Sequence, residues 1–163
     1  MITIQKKSLR VGKYVDTAYV DAAIRNYKKE RWVHNSEHIG KEDSLSVWFS
    51  AEEIQEFLDK IKEYGGDGIK FYFGAYPADF PEKPEYAGRQ TIVLVGTKRK
   101  EMENGGFADK DMYITRNGVT SIFSVNSGRL CPPICGGFAA LGKGLTDVGV
   151  TIIDRGEKGV SVV

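Results

Sequence analysis

The chain has little cysteine and histidine, no excess of charge of either sign and no long hydrophobic run. Its 163 residues include two cysteines and two histidines, and 23 lysines and arginines stand against 22 aspartates and glutamates. This balance excludes the strongly basic character typical of proteins that bind nucleic acid. No segment approaches the roughly 20 consecutive apolar residues of a membrane-spanning helix. We therefore predict no nucleic acid and no membrane as partner, and expect a protein or a small molecule instead.

The start of the chain also lacks a targeting signal. Residues Met1 to Lys7 contain no apolar stretch of the length found in signal peptides. We therefore expect a cytoplasmic protein, in which cysteines stay reduced. The chain length and a hydrophobic fraction of 41% are those of one globular domain, residues 1–163.

Two segments have the apolar periodicity of amphipathic helices. The first runs from about Asp16 to Arg31. The second follows Ser50, which forms a capping box with Glu53, and it ends at Gly65-Gly66. Both helices have a polar face, so we expect each to cover one side of a sheet.

The other regular segments are predicted to be strands. They comprise 45–49, 68–76, 91–97, a hairpin over 112–123 that turns at Asn117-Gly118, and a closing pair at 149–154 and 159–163. The segments 77–88 and 98–111 are predicted to be exposed loops. The fold class is therefore α+β: a single domain in which a curled, mainly antiparallel sheet is packed by two helices. Unpaired sheet edges favour a homo-oligomer.

Several of these segments together resemble a family of small, functionally uncharacterised bacterial proteins. The residues concerned are Ser46–Ser50, the capped helix, Gly66–Pro77, Ile92–Thr97 and the late Leu130–Cys135 segment, Leu-Cys-Pro-Pro-Ile-Cys. The resemblance covers residues 45–135. It implies one domain and assigns no activity and no catalytic residue.

The cysteines and histidines form one candidate site. Cys131 and Cys135, spaced Cys-x-x-x-Cys, and His34 and His38, spaced by four, would together supply the Cys₂His₂ set that structural zinc prefers. His34, Glu37 and His38 also match the zinc-protease pattern H-x-x-E-H, in a chain much smaller than such proteases. No cofactor is predicted unless these four residues converge, in which case it would be zinc. The favoured interpretation is two buried thiols and two surface histidines.

Two other patterns suggest different chemistry. A thiolate of Cys131 or Cys135 beside a histidine would be a nucleophile or a redox centre. The run Gly137–Gly144 imitates a phosphate-binding loop, but Gly144 replaces the Ser or Thr that holds Mg²⁺. This run is therefore interpreted as a glycine-rich connection.

A third candidate is a surface for a ligand or a partner. Lys70, Tyr72 and Tyr76 share one face of the strand 68–76, and Arg89 follows the next loop. The basic cluster Lys98–Lys100, which is followed by acidic residues, is interpreted as part of a solvated loop. The sequence thus favours a non-enzymatic cytoplasmic binding or interaction module. A metal-binding protein and a cysteine-dependent enzyme or redox protein remain the alternatives.

Overall fold

A computed structural model describes residues 9–135, 152–154 and 160–162. The fold is α+β and mainly antiparallel, as the sequence predicted. The strands are β1 Ser46–Trp48, β2 Gly68–Ala75, β3 Gln90–Glu101, β4 Phe107–Asp111, β5 Tyr113–Arg116, β6 Val119–Ile122, β7 Ser124–Val125, β8 Arg129–Cys131, β9 Ile152–Asp154 and β10 Val160–Val162. None of the described helices is long and apolar enough to cross a lipid bilayer.

The chain divides into two compact units. One, here called the α3 unit, contains Phe49–Gly74 and Ile92–Ser127; the other, the long-helix unit, contains Lys13–Trp48, Ala75–Thr91 and the chain from Gly128. That the two fold together as the single domain 1–163 stays a prediction. The phosphate-loop imitation at Gly137–Gly144 lies outside the described residues.

The long-helix unit begins with a helix that is longer than predicted. It consists of α1 Thr17–Tyr27, a π-helical segment Lys28–Trp32 and α2 Val33–Ile39, so it continues past Arg31 to the left-handed Gly40. A π-helical turn adds a residue to the helical repeat and shifts the phase of the apolar stripe. The 3.6-residue pattern is therefore lost in the sequence at the point where the helix itself continues.

The rest of this unit contains pairs of short antiparallel strands and one long connection. The predicted strand near Leu45 is β1, which pairs with β8 in antiparallel register. Strands β9 and β10 pair antiparallel, as predicted for the end of the chain. The connection 77–88 is not wholly exposed, which corrects the prediction. It contains a 3₁₀ turn, Pro84–Tyr86, and Tyr86 is only 2% exposed, with its hydroxyl accepting from the backbone N–H of Leu130.

The α3 unit is built on helix α3, Ala51–Glu63, whose predicted ends are confirmed. At its start, Ser50 Oγ accepts from the Glu53 N–H, and a Glu53 carboxylate oxygen accepts from the Ser50 N–H. At its end, Gly65 has a φ of 78° and Gly66 donates to the Ile61 carbonyl at 2.8 Å. These bonds satisfy backbone groups that a helix end leaves free.

A sheet packs against α3 and forms the core of this unit. Strand β3 lies between β2 and β4 and also pairs with β7. The buried cluster comprises Phe57 and Ile61 from α3 with Leu94, Met112 and Phe123. The hairpin of β5 and β6 turns at Asn117 and Gly118, both with positive φ, as predicted.

The largest difference from the prediction is the segment 98–111. It was expected to be a loop, but β3 continues to Glu101 and pairs with β4 from Thr97↔Asp111 to Glu101↔Phe107. A five-residue turn ends with the Met102 N–H donating to the Gly106 carbonyl at 2.7 Å, and Gly105 has a φ of 79°. The charged residues lie on an exposed hairpin, where a strand needs no apolar face to keep its backbone hydrogen bonds.

Candidate ligand-binding site

Two of the predicted surface residues meet an aspartate in the α3 unit. Lys70 Nζ lies 2.8 Å from Asp111 Oδ1, and the Tyr72 hydroxyl donates to Asp111 Oδ2 at 2.7 Å. Lys70 and Tyr72 are two residues apart on β2, so their side chains lie on the same face of the strand. The sequence therefore placed these two together correctly, and the structure adds Asp111.

The three side chains shift one another's proton affinity. The hydrogen bond from Lys70, and then that from Tyr72, lowers the pKa of Asp111. The same hydrogen bonds with Asp111 raise the pKa of the Lys70 ammonium and of the Tyr72 phenol. At neutral pH Asp111 is therefore a carboxylate that is already occupied by one cation and one hydroxyl.

A groove with a volume of about 430 Å³ lies beside this aspartate. Its lining residues are Tyr64, Lys98, Lys100, Lys110, Asp111, Met112, Tyr113, Ile114 and Thr115. Tyr113 is largely exposed, and the ring of Tyr64 packs edge-on against Phe123 while its hydroxyl accepts from Arg116 Nη2 at 3.1 Å. The groove thus combines aromatic walls with cationic side chains.

Among the described residues, the lysines of the groove have no acidic partner. Lys98 and Lys110 are direct cross-strand partners, and Lys100 lies two residues further along β3. Within the described part of the chain, none of the three takes part in an ion pair or a side-chain hydrogen bond. Arg99, between Lys98 and Lys100 in the chain, does have an acidic partner: its Nη1 lies 3.8 Å from Asp109 Oδ1. On β3, therefore, Arg99 on one face has an acidic partner, whereas Lys98 and Lys100 on the other face have none among the described residues.

Lys98 has one favourable neighbour, the end of helix α3. Its ammonium lies above Gly65, at 3.4 Å from the position that a Cβ would take there. A cation at a helix C-terminus interacts favourably with the helix dipole. Lys98 therefore lines the groove beside the end of α3, and no carboxylate of the described residues pairs with it.

The other two predicted surface residues, Tyr76 and Arg89, lie in the long-helix unit. The Tyr76 N–H donates to the Arg89 carbonyl at 3.0 Å, and the Tyr76 ring stacks on Phe80 with centroids 4.5 Å apart. The guanidinium of Arg89 is buried, and its Nε donates to the Glu85 carbonyl at 2.8 Å. Its Nη1 atom has no hydrogen-bond partner in the part of the chain that the structure describes.

The candidate metal ligands are placed in the long-helix unit but not as a ligand set. His34 and His38 lie on α2, and the exposed His34 has Glu37 as its nearest acidic neighbour, at 3.9 Å. Cys131 and Cys135 form a disulfide, with Cα atoms 4.6 Å apart. Among the described residues, no three His, Cys, Asp or Glu side chains come together to hold a metal ion.

The disulfide corrects the favoured interpretation of the cysteines. They are not two buried thiols: Cys131 is half-buried, Cys135 is exposed, and each sulfur is bonded to the other. A disulfide offers neither a thiolate ligand nor a nucleophile. Zinc binding or thiol chemistry by this pair therefore stays a prediction for the reduced chain alone.

The sequence missed the three lysines of the groove. They were interpreted as part of a charged, solvated loop because the basic cluster Lys98–Lys100 is followed directly by Glu101 and Glu103. One signal was present: Asn104-Gly105 is a typical hairpin-turn dipeptide, flanked by segments of possible strand length. Compared with known proteins, the chain matches no family model, no curated protein and no solved structure.

Proposed function

We propose that this protein is a non-enzymatic binding module whose ligand is a small anionic molecule held in the groove of the α3 unit. The observation that supports the proposal is the set of three lysines, Lys98, Lys100 and Lys110, that have no acidic partner among the described residues. Like charges directly opposite each other on paired strands are destabilising. A bound anion would offset that repulsion.

The nature of the ligand follows from the lining of the groove. Ammonium groups bind phosphate, sulfate and carboxylate as compact point charges. The rings of Tyr64 and Tyr113 and the apolar side chains of Met112 and Ile114 offer a surface for an aromatic or apolar part. A volume of about 430 Å³ falls in the range of small-molecule sites. We therefore propose an aryl or similar compound carrying at least one phosphate-like group.

Binding without turnover is proposed because of the state of Asp111. This carboxylate lines the groove, but Lys70 and Tyr72 already occupy both of its oxygens. Its lowered pKa also makes it a weak base. A carboxylate so held serves to keep Lys70 neutralised and in place rather than to accept a proton from a substrate.

The test uses 2-naphthyl phosphate, inorganic phosphate and 2-naphthol as probes in calorimetric titrations. We expect 2-naphthyl phosphate to bind more tightly than either part alone. Replacing Lys98, Lys100 and Lys110 by Met should weaken it by a factor on the order of 10², since each contact with a charged group contributes appreciably. The matched control replaces Lys13, Lys29 and Lys41 by Met, which removes the same charge outside the groove.

Two results would overturn the proposal. One is an equal loss of affinity in the groove variant and in the control variant, because this would mean attraction by net charge alone. The other is steady release of 2-naphthol from the phosphate ester, which would make the protein a phosphatase. Sedimentation of the same samples measures the oligomeric state, for which the homo-oligomer stays a prediction.

The proposed cytoplasmic location and the disulfide oppose each other. Cytoplasmic thiols are kept reduced, whereas disulfides persist in oxidising compartments. We propose that the protein acts in the cytoplasm, and that ligand binding in the groove of the α3 unit does not require the Cys131–Cys135 disulfide. Trapping thiols with an alkylating reagent during cell lysis tests this: modified cysteines support the cytoplasm, and an intact disulfide supports an oxidising compartment.

A further inference from the structure

Among the described residues, two buried polar atoms near the start of β3 have no hydrogen-bond partner. Arg89 is 7% exposed and Thr91 is 3% exposed, and Arg89 Nη1 and Thr91 Oγ1 are unpartnered within the described part of the chain. Buried polar groups in proteins are almost always hydrogen-bonded, and a buried charge without a partner is costly. Both exceptions belong to the long-helix unit and lie two residues apart.

The residue between them fixes the backbone. The Gln90 N–H donates to Asp43 Oδ1 at 2.6 Å, and Gln90 Oε1 accepts from the Tyr27 hydroxyl at 2.6 Å. The Gln90 carbonyl accepts from the Ser44 hydroxyl. The backbone N–H, the carbonyl and the side-chain oxygen of Gln90 are thus each bonded to a residue of the helix or of the segment after it.

The two residues with unpartnered atoms are close in the chain. Arg89 directly precedes β3, and Thr91 is the second residue of that strand. Even in fully extended backbone, residues i and i+2 have Cα atoms only about 7 Å apart. A carboxylate or phosphate group presents several oxygens, so one such group can accept hydrogen bonds from two neighbouring side chains.

We propose that Arg89 and Thr91 form a second, buried anion site, which binds one carboxylate or phosphate group. The guanidinium is held by the bond from its Nε to the Glu85 carbonyl, and this leaves Nη1 to donate to the anion. In the described residues no carboxylate forms an ion pair with Arg89. The buried carboxylate of Asp43 accepts from the N–H groups of Ser44 and Gln90 instead. Neither Arg89 nor Thr91 is among the residues that line the lysine groove.

The experiment measures thermal stability and calorimetric binding with inorganic phosphate and with acetate, at constant ionic strength set by chloride. It is carried out on the full chain and on the chain with Lys98, Lys100 and Lys110 replaced by Met, so that failure of the groove proposal does not affect it. We expect a saturable stabilisation by one of the two oxyanions in both proteins. Phosphate and acetate separate a phosphate ligand from a carboxylate ligand.

The decisive variants are at Thr91. Thr91→Val keeps the shape of the side chain and removes the hydroxyl, so it should weaken the anion by about tenfold or more, as expected for a hydrogen bond to a charged group. Thr91→Ser keeps the hydroxyl and should bind within a few-fold of the native chain. Arg89→Lys keeps a charge without the planar fork and should also bind more weakly.

Two results would overturn this inference. One is that neither phosphate nor acetate stabilises the protein more than chloride does, which would mean that Arg89 Nη1 and Thr91 Oγ1 bind water and not an anion. The other is that Thr91→Val binds the anion as tightly as the native chain, which would mean that Thr91 takes no part. Thr91→Val also serves where Arg89 variants fail to fold, because removal of an unpartnered hydroxyl does not break a hydrogen bond within the protein.

Discussion

Lys98 and Lys110 lie directly opposite each other on β3 and β4, and neither has an acidic partner among the described residues. Paired strands normally place opposite charges or apolar side chains at such positions, because like charges repel across the ladder. The hairpin therefore holds a repulsion that an anionic ligand would relieve.

Replacing Lys110 by Glu should stabilise the protein in the absence of ligand. The substitution turns a repulsive cross-strand pair into an attractive one, which is worth about 0.5–1 kcal/mol at low salt. Urea unfolding at low ionic strength measures this. Lys110→Gln, which only removes the repulsion, should fall between the two, and high salt should shrink all the differences. A less stable Glu variant would mean that Lys110 has a favourable contact that the repulsion does not outweigh.

The stability contributed by Asp111 should depend on pH in a defined direction. Because its pKa is lowered in the folded protein, its contribution is complete above the unfolded pKa of about 3.9 and is lost as the pH falls further. Asp111→Asn should therefore lower the melting temperature at neutral pH, with the gap to the native chain closing in acid.

The stability contributed by the contacts of Asp111 should also fall at alkaline pH. The raised pKa values of Lys70 and Tyr72 mean that their favourable contact with Asp111 is present below pH about 10 and disappears as the pH rises through the folded values. Asp79→Asn, which removes an exposed carboxylate elsewhere, is the control. A gap between native chain and Asp111→Asn that does not vary with pH would contradict the pairing.

The elements that the sequence predicted correctly are those in which a local signal and the tertiary structure agree. Ser50 and Glu53 identified the start of α3, and Asn117-Gly118 identified the turn between β5 and β6, because both signals act within four residues. The hairpin at 98–111 was missed because its residues gain nothing from burial. Its pairing comes from backbone hydrogen bonds, which leave no apolar pattern in the sequence.

The candidate site was predictable only in part for the same reason. The sequence placed Lys70 with Tyr72, since strand alternation is local, but it did not predict their contact with Asp111, about 40 residues away. It also singled out Arg89 without indicating that its guanidinium would be buried. Burial of a charged side chain depends on the elements that pack around it, and these are distant in sequence.

The disulfide predicts a specific pattern of alkylation. Native protein purified without reductant should take up no iodoacetamide, and protein that has first been reduced should take up two equivalents, as read by mass spectrometry. The bond closes a loop with three residues inside, so the double Cys→Ser variant should be less stable by about 2 kcal/mol on the chain-entropy estimate. Labelling of both cysteines in unreduced native protein would show that they are thiols.

The last prediction compares two adjacent glycines at the end of α3. Gly65 has the positive φ that normally makes a glycine necessary, and it has open space beside it except for Lys98. A Cβ at Gly66 would lie 2.7 Å from Ile61 Cγ2 and 2.9 Å from the backbone oxygen of Thr97. Since that oxygen belongs to a buried strand, it cannot move aside easily.

Gly66→Ala should therefore cost about 1–3 kcal/mol of stability through overpacking, whereas Gly65→Ala should cost about 1 kcal/mol for the left-handed backbone. Chemical unfolding of both variants measures the order. Gly12→Ala, where nothing lies within 4 Å of the new methyl group, controls for the general effect of the exchange. If Gly65→Ala proves the more damaging, backbone conformation rather than close contact between α3 and β3 determines how this helix must end.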